Sequence, residues 1–95
     1  MSGLTIRRVV VRGRVQGIGY RAWTEDTAIL SGLDGWVRNR RDATVEAVFA
    51  GPAEAVDGMI EACRRGPGSA HVEAVDVRDA GPSDLALRQG DDGFT

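Results

Sequence analysis

The stretch Gly13–Arg21 reads G-R-V-Q-G-I-G-Y-R, and it is the most informative segment of this 95-residue chain. It follows the apolar run Val9–Val11, which predicts a buried strand, and it precedes a predicted helix that opens at Ala22. Three glycines within seven positions let the backbone turn tightly and aim several N–H groups at one point. The stretch therefore predicts a strand, a glycine loop and a helix in that order.

The same stretch has the features of an anion site. Arg21 lies at the start of the predicted helix, where the macrodipole favours negative charge. A row of loop amides, a helix N-terminus and one guanidinium fork suit a small phosphate-like group. No Gly-Lys-Ser/Thr follows the loop and no G-x-G-x-x-G is present, so neither common nucleotide-binding motif applies.

A second stretch, Gly35–Asn39, has the sequence G-W-V-R-N and is followed by Thr44-Val45 and by Gly51-Pro52. The glycine loop and this stretch, in this order and at this spacing, resemble the two motifs of the acylphosphatase family. The resemblance runs from about Arg7 to Val77.

Two departures from the family pattern give further expectations. Ala43 stands where the family usually has glycine in the turn after the asparagine, which puts the geometry of that turn in question. The chain ends at Thr95, just after Phe94, so we expect the terminal strand to be missing or frayed. Gly81–Thr95 should then be the loosest part of the chain, and removal of Asp91–Thr95 should change the melting temperature little.

A length of 95 residues fits a single domain over residues 1–95, with a core of modest size. The predicted strands are Ile6–Arg12, Gly35–Arg40, Thr44–Ala50 and Val72–Arg78. The first predicted helix is Ala22–Ser31. We expect Thr24-Glu25-Asp26 to place negative charge in the first turn of this helix. The sequence does not decide which side of this helix packs into the core, the one with Trp23 and Leu30 or the one with Ala28 and Ser31.

A second helix is predicted between Gly51-Pro52 and Gly66-Pro67-Gly68. Its apolar face recurs at positions i, i+3, i+4 and i+7 with Val56, Met59, Ile60 and Cys63. The order β-α-β-β-α-β predicts an α+β fold, the ferredoxin-like split βαβ sandwich, with two helices on one face of an antiparallel sheet.

Composition and charge restrict the class of protein. The chain is 42% apolar and 27% charged, and it has no apolar run near the roughly 20 residues that span a bilayer. The N-terminus also has no apolar stretch typical of a signal peptide, so we expect a cytoplasmic protein. The single cysteine, which excludes an internal disulfide, agrees with a reducing compartment. The net charge is −2, but residues 1–50 hold eight arginines against five acidic residues, which suits an anionic substrate.

The resemblance implies an enzyme that hydrolyses small acyl phosphates to a carboxylate and inorganic phosphate, without a cofactor or metal and as a monomer. It implies that Arg21 clamps phosphate oxygens and that Asn39 orients the attacking water. We expect the loop residues to bind the substrate, mainly through their amides. These residues are Arg14, Val15, Gln16, Gly17, Ile18, Gly19 and Tyr20.

Other residues have simpler interpretations. Trp36 is expected to pack, Cys63 to be a buried hydrophobe, His71 to be exposed or structural, and Arg40-Arg41 to form a solvated turn. No spacing of His, Cys and carboxylates matches a metal site.

Two alternatives remain open. One is an anion-binding or carbamoyl-phosphate-related domain without general acylphosphatase turnover. The other is a nucleic-acid-binding ferredoxin-like module, against which stand the negative net charge, the five aromatic residues and the absence of an RNP1-like strand.

Overall fold

The predicted order of elements is confirmed, with one short helix added. A computed structural model of the chain describes residues 3–17, 19–87 and 94. The elements are β1 (Thr5–Arg14), α1 (Tyr20–Leu30), β2 (Asp34–Asn39), β3 (Val45–Gly51), α2 (Ala53–Arg65), β4 (His71–Asp79) and α3 (Pro82–Leu85). The sheet has the order β2-β3-β1-β4, and each neighbouring pair is antiparallel. This is the ferredoxin-like α+β sandwich.

Strand β3, one of the two inner strands, shows how the two faces of the sheet differ. Every residue from Val45 to Gly51 is buried, because both faces of this strand are covered. Val45, Ala47 and Phe49 pack into the main core with α1 and α2. Successive side chains of a strand point to opposite faces. Val48 and Ala50 accordingly belong to a second, smaller cluster on the face away from these helices.

Helix α1 begins two residues earlier than the sequence predicts. Its first residue is Tyr20, so Thr24-Glu25-Asp26 lie beyond the first turn and the expected acidic first turn is absent from this helix. The buried residues are Tyr20, Thr24 and Ala28, while Leu30 is 88% exposed. The inner face is therefore the one that contains Ala28, with Tyr20 and Thr24 at intervals of four residues. The buried hydroxyl of Thr24 is satisfied because it donates to the carbonyl of Tyr20.

Helix α2 follows the predicted pattern. Val56, Met59, Ile60 and Cys63 are all buried against the sheet. The hydroxyl of Tyr20 donates to the carbonyl of Cys63 at 2.7 Å, which joins the two helices. Burial raises the pKa of the Cys63 thiol to about 11. The thiol therefore stays protonated at neutral pH, as expected for a packing residue.

Phe94 corrects the expectation for the C-terminus. Its side chain is only 7% exposed, and its ring stacks on Phe49 with centroids 5.6 Å apart and planes inclined by 18°. Phe94 also forms a parallel bridge with Gly35, at the edge of the sheet. The expected fraying is therefore wrong at this residue, where burial of the aromatic ring favours an ordered chain. The bridge is an isolated one, and no terminal strand is present in the described part of the chain. Residues 88–93 and 95 lie outside the described part.

The face away from α1 and α2 carries a cover that the sequence does not predict. Trp36 is 5% exposed and packs with Ile6, Val48 and Ala50, against Ala80 and Leu85. Its indole N–H donates to the carbonyl of Asp84 in α3 at 2.7 Å. The packing interpretation of Trp36 is confirmed, and α3 is the element that covers it.

Candidate active site

A bulge at Gly13 turns the end of β1 into the glycine loop. The register between β1 and β4 shifts between Arg12 and Gly13. Gly13 has a φ of +127°, and a Cβ at this position would lie 2.1 Å from the carbonyl oxygen of His71. Only glycine fits there. Val15, two residues later, is 1% exposed and anchors the start of the loop in the core.

The loop ends directly at the N-terminus of α1. Gly19 is the N-cap, with a φ of 85° in the left-handed region. The first N–H groups of a helix have no intrahelical acceptor, so they point out of its end, together with the positive end of the macrodipole. In the described part of the chain, the amides of Gln16, Gly17 and Gly19 donate no hydrogen bond to another protein group. These unpartnered donors, next to the positive end of the helix, are suited to an anion.

Arg21 is the second residue of α1, beside these amides. Its Nη1 lies 3.2 Å from Oε1 of Glu25, one turn along the helix, and its side chain is 42% exposed. An exposed pair at this spacing contributes only about 0.3–0.5 kcal/mol. Arg21 is therefore held over the helix surface by a weak contact, and a phosphate oxygen can replace that contact at little cost.

Gln16 joins the loop to the second motif. Its side-chain amide nitrogen donates to the carbonyls of Arg40 and Thr44, each at 2.8 Å. These two residues flank the turn between β2 and β3, and Asn39 immediately precedes it. We call this pair of hydrogen bonds the Gln16 clamp. It connects the loop to the strand end that carries Asn39.

Asn39 is placed by strand direction and by the alternation of side chains. Strands β1 and β2 both pair antiparallel with β3, so they run parallel to each other and end at the same edge of the sheet. Val45 faces Val11 on one side and Asn39 on the other. Asn39 is two residues from Val37, which packs into the main core, so both residues lie on the helix side of β2. Asn39 is therefore on the face where α1 begins.

The turn after Asn39 forms with alanine in a left-handed conformation. Ala43 has a φ of 72°, and it is the one non-glycine residue with positive φ in the described part. The Ala43 amide donates to the carbonyl of Arg40 at 3.2 Å, and the Arg40 amide donates to the carbonyl of Thr44 at 2.9 Å. This is a type I turn followed by a left-handed residue, as in three-residue hairpin loops. Replacing the usual glycine has not prevented the turn.

Asp42 supports the same turn. Its Oδ1 accepts hydrogen bonds from the Thr44 hydroxyl at 2.6 Å and from the Thr44 amide at 3.1 Å. These bonds, with the side-chain bond the stronger, hold the pKa of the Asp42 carboxyl below its ordinary value. Asp42 is thus ionised at neutral pH and keeps Thr44 in place for the Gln16 clamp.

The remaining predicted binding residues differ in what they expose. Arg14 is exposed but lies within β1, opposite His71, which is itself exposed as expected. Val15 and Tyr20 are buried, so only their backbone groups can face a ligand. Ile18 lies outside the described residues. A shallow depression next to the turn is lined by Arg38, Asn39, Arg40 and Arg41.

The sequence alone does not indicate the clamping role of the Gln16 side chain. Its acceptors are backbone carbonyls 24 and 28 residues away, and any residue type can supply a carbonyl. No periodicity or spacing in a single sequence marks such a contact. The only available signal was a long amide side chain inside a glycine loop.

Residues 3–17, 19–87 and 94 contain no group of three or more His, Cys, Asp or Glu residues that could hold a metal ion. None of the helices in these residues has the length and apolar character of a membrane span.

Comparison with known proteins confirms the resemblance to the acylphosphatase family. The sequence model of the acylphosphatase family matches residues 7–90. An acylphosphatase of Rhodopseudomonas palustris (strain BisB5) is 56% identical over 91 residues, which cover 96% of this chain and 92% of that protein.

Solved structures agree with the sequence comparison. The crystal structure of acylphosphatase from Bacillus subtilis superposes with a TM-score of 0.82 at 33% identity, covering 97% of this chain and 96% of that one. An acylphosphatase structure from Coxiella burnetii also gives a TM-score of 0.82, at 27% identity, covering 96% of this chain and 90% of that one. Sequence, fold and both motifs lead to one conclusion: the chain belongs to the acylphosphatase family.

Proposed function

We propose that this protein hydrolyses acyl phosphates to a carboxylate and inorganic phosphate at the site between the glycine loop and the turn after Asn39. The observation that carries the proposal is the Gln16 clamp, which joins two motifs that are distant in sequence. The names of the similar proteins support the same activity. The proposed substrate is a small acyl phosphate, and the proposed site is built from one chain.

In this proposal the phosphate group binds in the loop. Its oxygens accept hydrogen bonds from the N-terminus of α1 and from the amides of Gln16, Gly17 and Gly19. Arg21 leaves its contact with Glu25 and binds two of these oxygens. A guanidinium fork matches a pair of phosphate oxygens. These donors stabilise charge that spreads over the phosphoryl oxygens as the transition state forms.

Asn39 is proposed to hold the attacking water with its carboxamide. The water oxygen forms a bond to phosphorus while the bond from phosphorus to the acyl oxygen breaks, and the carboxylate leaves with the electron pair. A carboxamide is too weak a base to take the proton, so the proton passes to an oxygen of the phosphate. Because a carboxylate is a stable leaving group, positioning and electrostatic stabilisation suffice for the reaction.

The test is release of inorganic phosphate from benzoyl phosphate and carbamoyl phosphate by the purified protein. Both acyl phosphates should be turned over, while 4-nitrophenyl phosphate, a monoester with a poorer leaving group, should serve as the slow control. If phosphate binds but no acyl phosphate is hydrolysed, the protein is an anion-binding domain and the proposed activity is wrong.

A further inference from the structure

A groove lined by arginines lies on the sheet face opposite the candidate active site. It runs along β1 and β4, at the part of this face that α3 leaves open. Its lining residues are Arg8, Val10, Arg12, Arg40, Asp76 and Arg78. Four of these six side chains are guanidinium groups and one is a carboxylate. We call this surface the arginine groove.

The register of the sheet explains why these arginines converge. Arg8 and Arg12 flank Val10 on one face of β1, because residues two apart share a face. Arg78 pairs with Arg8 and Asp76 pairs with Val10 across the β1–β4 ladder. The Cα atoms of Arg8 and Arg12 are separated by roughly 13 Å along the strand. Arginine side chains are long enough to bring their guanidinium groups together over Val10.

The acidic residues around the groove only partly balance this charge. Arg8 and Arg38 share one buried carboxylate, that of Glu46. Nε of Arg12 lies 3.5 Å from Oδ2 of Asp76, and Nη2 of Arg40 lies 3.7 Å from Oδ2 of Asp42. Arg78 is exposed and has no ion-pair partner within the described part of the chain. Five arginines therefore face three carboxylates, in a chain whose net charge is −2.

We propose that the arginine groove binds a small polyanion with two or more phosphoryl groups, at a site separate from the glycine loop. One guanidinium group can bind two phosphate oxygens at once. Several guanidinium groups around the apolar side chain of Val10 therefore suit a ligand with linked phosphoryl groups. The groove offers Val10 and no aromatic side chain, and Trp36 is buried beside α3. Single-stranded nucleic acid, which binds largely by stacking on aromatic rings, is therefore the less suitable ligand.

The experiment is an NMR titration of the full chain with tripolyphosphate, monitored through the backbone amides. Amides of residues 8–12 and 76–78 should shift and saturate with their own dissociation constant, and they should do so equally in an Arg21→Ala variant. Arg78→Ala should weaken this binding about tenfold, as expected for loss of one charge-assisted contact. Asp76→Asn should strengthen it, because it removes the one carboxylate that lines the groove.

Three controls separate the proposal from its alternatives. Arg65→Ala, at the exposed end of α2, should leave the binding unchanged, and Arg78→Ala should leave hydrolysis of benzoyl phosphate unchanged. Tighter binding of tripolyphosphate by Asp76→Asn cannot result from partial unfolding, because unfolding would weaken the binding. The proposal is overturned if the shifts vanish in Arg21→Ala, if Arg78→Ala has no effect, or if a single-stranded oligonucleotide without terminal phosphate binds more tightly than tripolyphosphate.

Discussion

Ala43 has a backbone conformation that alanine rarely adopts. A left-handed φ of 72° costs an alanine about 1–2 kcal/mol. We expect Ala43→Gly to remove this strain, and the greater freedom of glycine in the unfolded chain to offset part of the gain. The net effect should be about 0.5–1 kcal/mol of added stability, seen as a rise of a few degrees in the thermal midpoint.

Ala62→Gly is the matched control, since Ala62 lies inside helix α2. There the same change should lower stability by about 1 kcal/mol. A fall in the thermal midpoint with Ala43→Gly would show that the alanine side chain makes contacts that outweigh the strain.

Glu46 is the other residue whose environment has a measurable consequence. Its side chain is 2% exposed, and its two oxygens accept hydrogen bonds from Arg8 and Arg38. Burial alone would raise the pKa of the Glu46 carboxyl, but the bonds and charges of the two arginines outweigh it and lower the pKa below its ordinary 4.5. A carboxyl with a lowered pKa stabilises the fold above its unfolded pKa, and this stabilisation is lost as the pH falls through the folded value.

We therefore expect Glu46→Gln to lower the free energy of unfolding by about 1–3 kcal/mol at pH 7. The difference from the wild type should shrink as the pH falls through the lowered pKa of Glu46, because the wild-type carboxyl then becomes protonated. Urea unfolding at pH 7 and pH 3 measures this, with exposed Glu61→Gln as the control. An equal loss at both pH values would mean that shape, and not charge, is what Glu46 contributes.

At the scale of elements, the Gln16 clamp is the contact on which the proposed site depends. Gln16→Glu replaces two N–H donors with a carboxylate that faces the carbonyls of Arg40 and Thr44. The turn that follows Asn39 should then move, and kcat should fall about 10²-fold while KM changes less, because the loop amides still bind phosphate.

Lowering the pH should partly restore kcat in this variant, because its introduced carboxyl group can donate one hydrogen bond once it is protonated. The wild type over the same pH range and Gln16→Met, which has no donor and no charge, are the controls. If Gln16→Met keeps the full kcat, the clamp does not position the site.

The elements also show which features a sequence can predict. Val56, Met59, Ile60 and Cys63 are predictable because one local period places them on one face of α2. The start of α1 is not given by such a period. Its first residue, Tyr20, is buried, and its hydroxyl bonds the carbonyl of Cys63, which is 43 residues away. The residues of both motifs could be proposed from the sequence, but their connection through Gln16 required the fold.

At the scale of the whole molecule, the C-terminal end contributes a ring to the main core. Phe94 stacks on Phe49 and is 7% exposed. We expect Phe94→Ala to destabilise the protein by about 3 kcal/mol, which lowers the thermal midpoint by ten degrees or more for a domain of this size, on the order of 4–8 °C per kcal/mol.

Leu87→Ala is the control for Phe94→Ala, since Leu87 is 63% exposed and its loss should be nearly neutral. Removal of residues 91–95 should destabilise the chain as strongly as Phe94→Ala. An unchanged midpoint in both variants would contradict the burial of Phe94. The sequence does not predict this contact, because Phe94 follows polar residues and glycines and its partner, Phe49, is far away in the chain.

In the proposed site the two motifs have separate tasks: Arg21 binds phosphate and Asn39 positions the water. The most direct measurement is kcat with benzoyl phosphate, together with the inhibition constant of inorganic phosphate, for the wild type, Arg21→Ala and Asn39→Ala. Asn39→Ala should lose about 10²–10³-fold in kcat while its phosphate inhibition constant stays within about twofold. Arg21→Ala should lose both turnover and phosphate affinity. The proposed division of tasks is wrong if Asn39→Ala keeps its kcat, or if it loses phosphate affinity as severely as Arg21→Ala does.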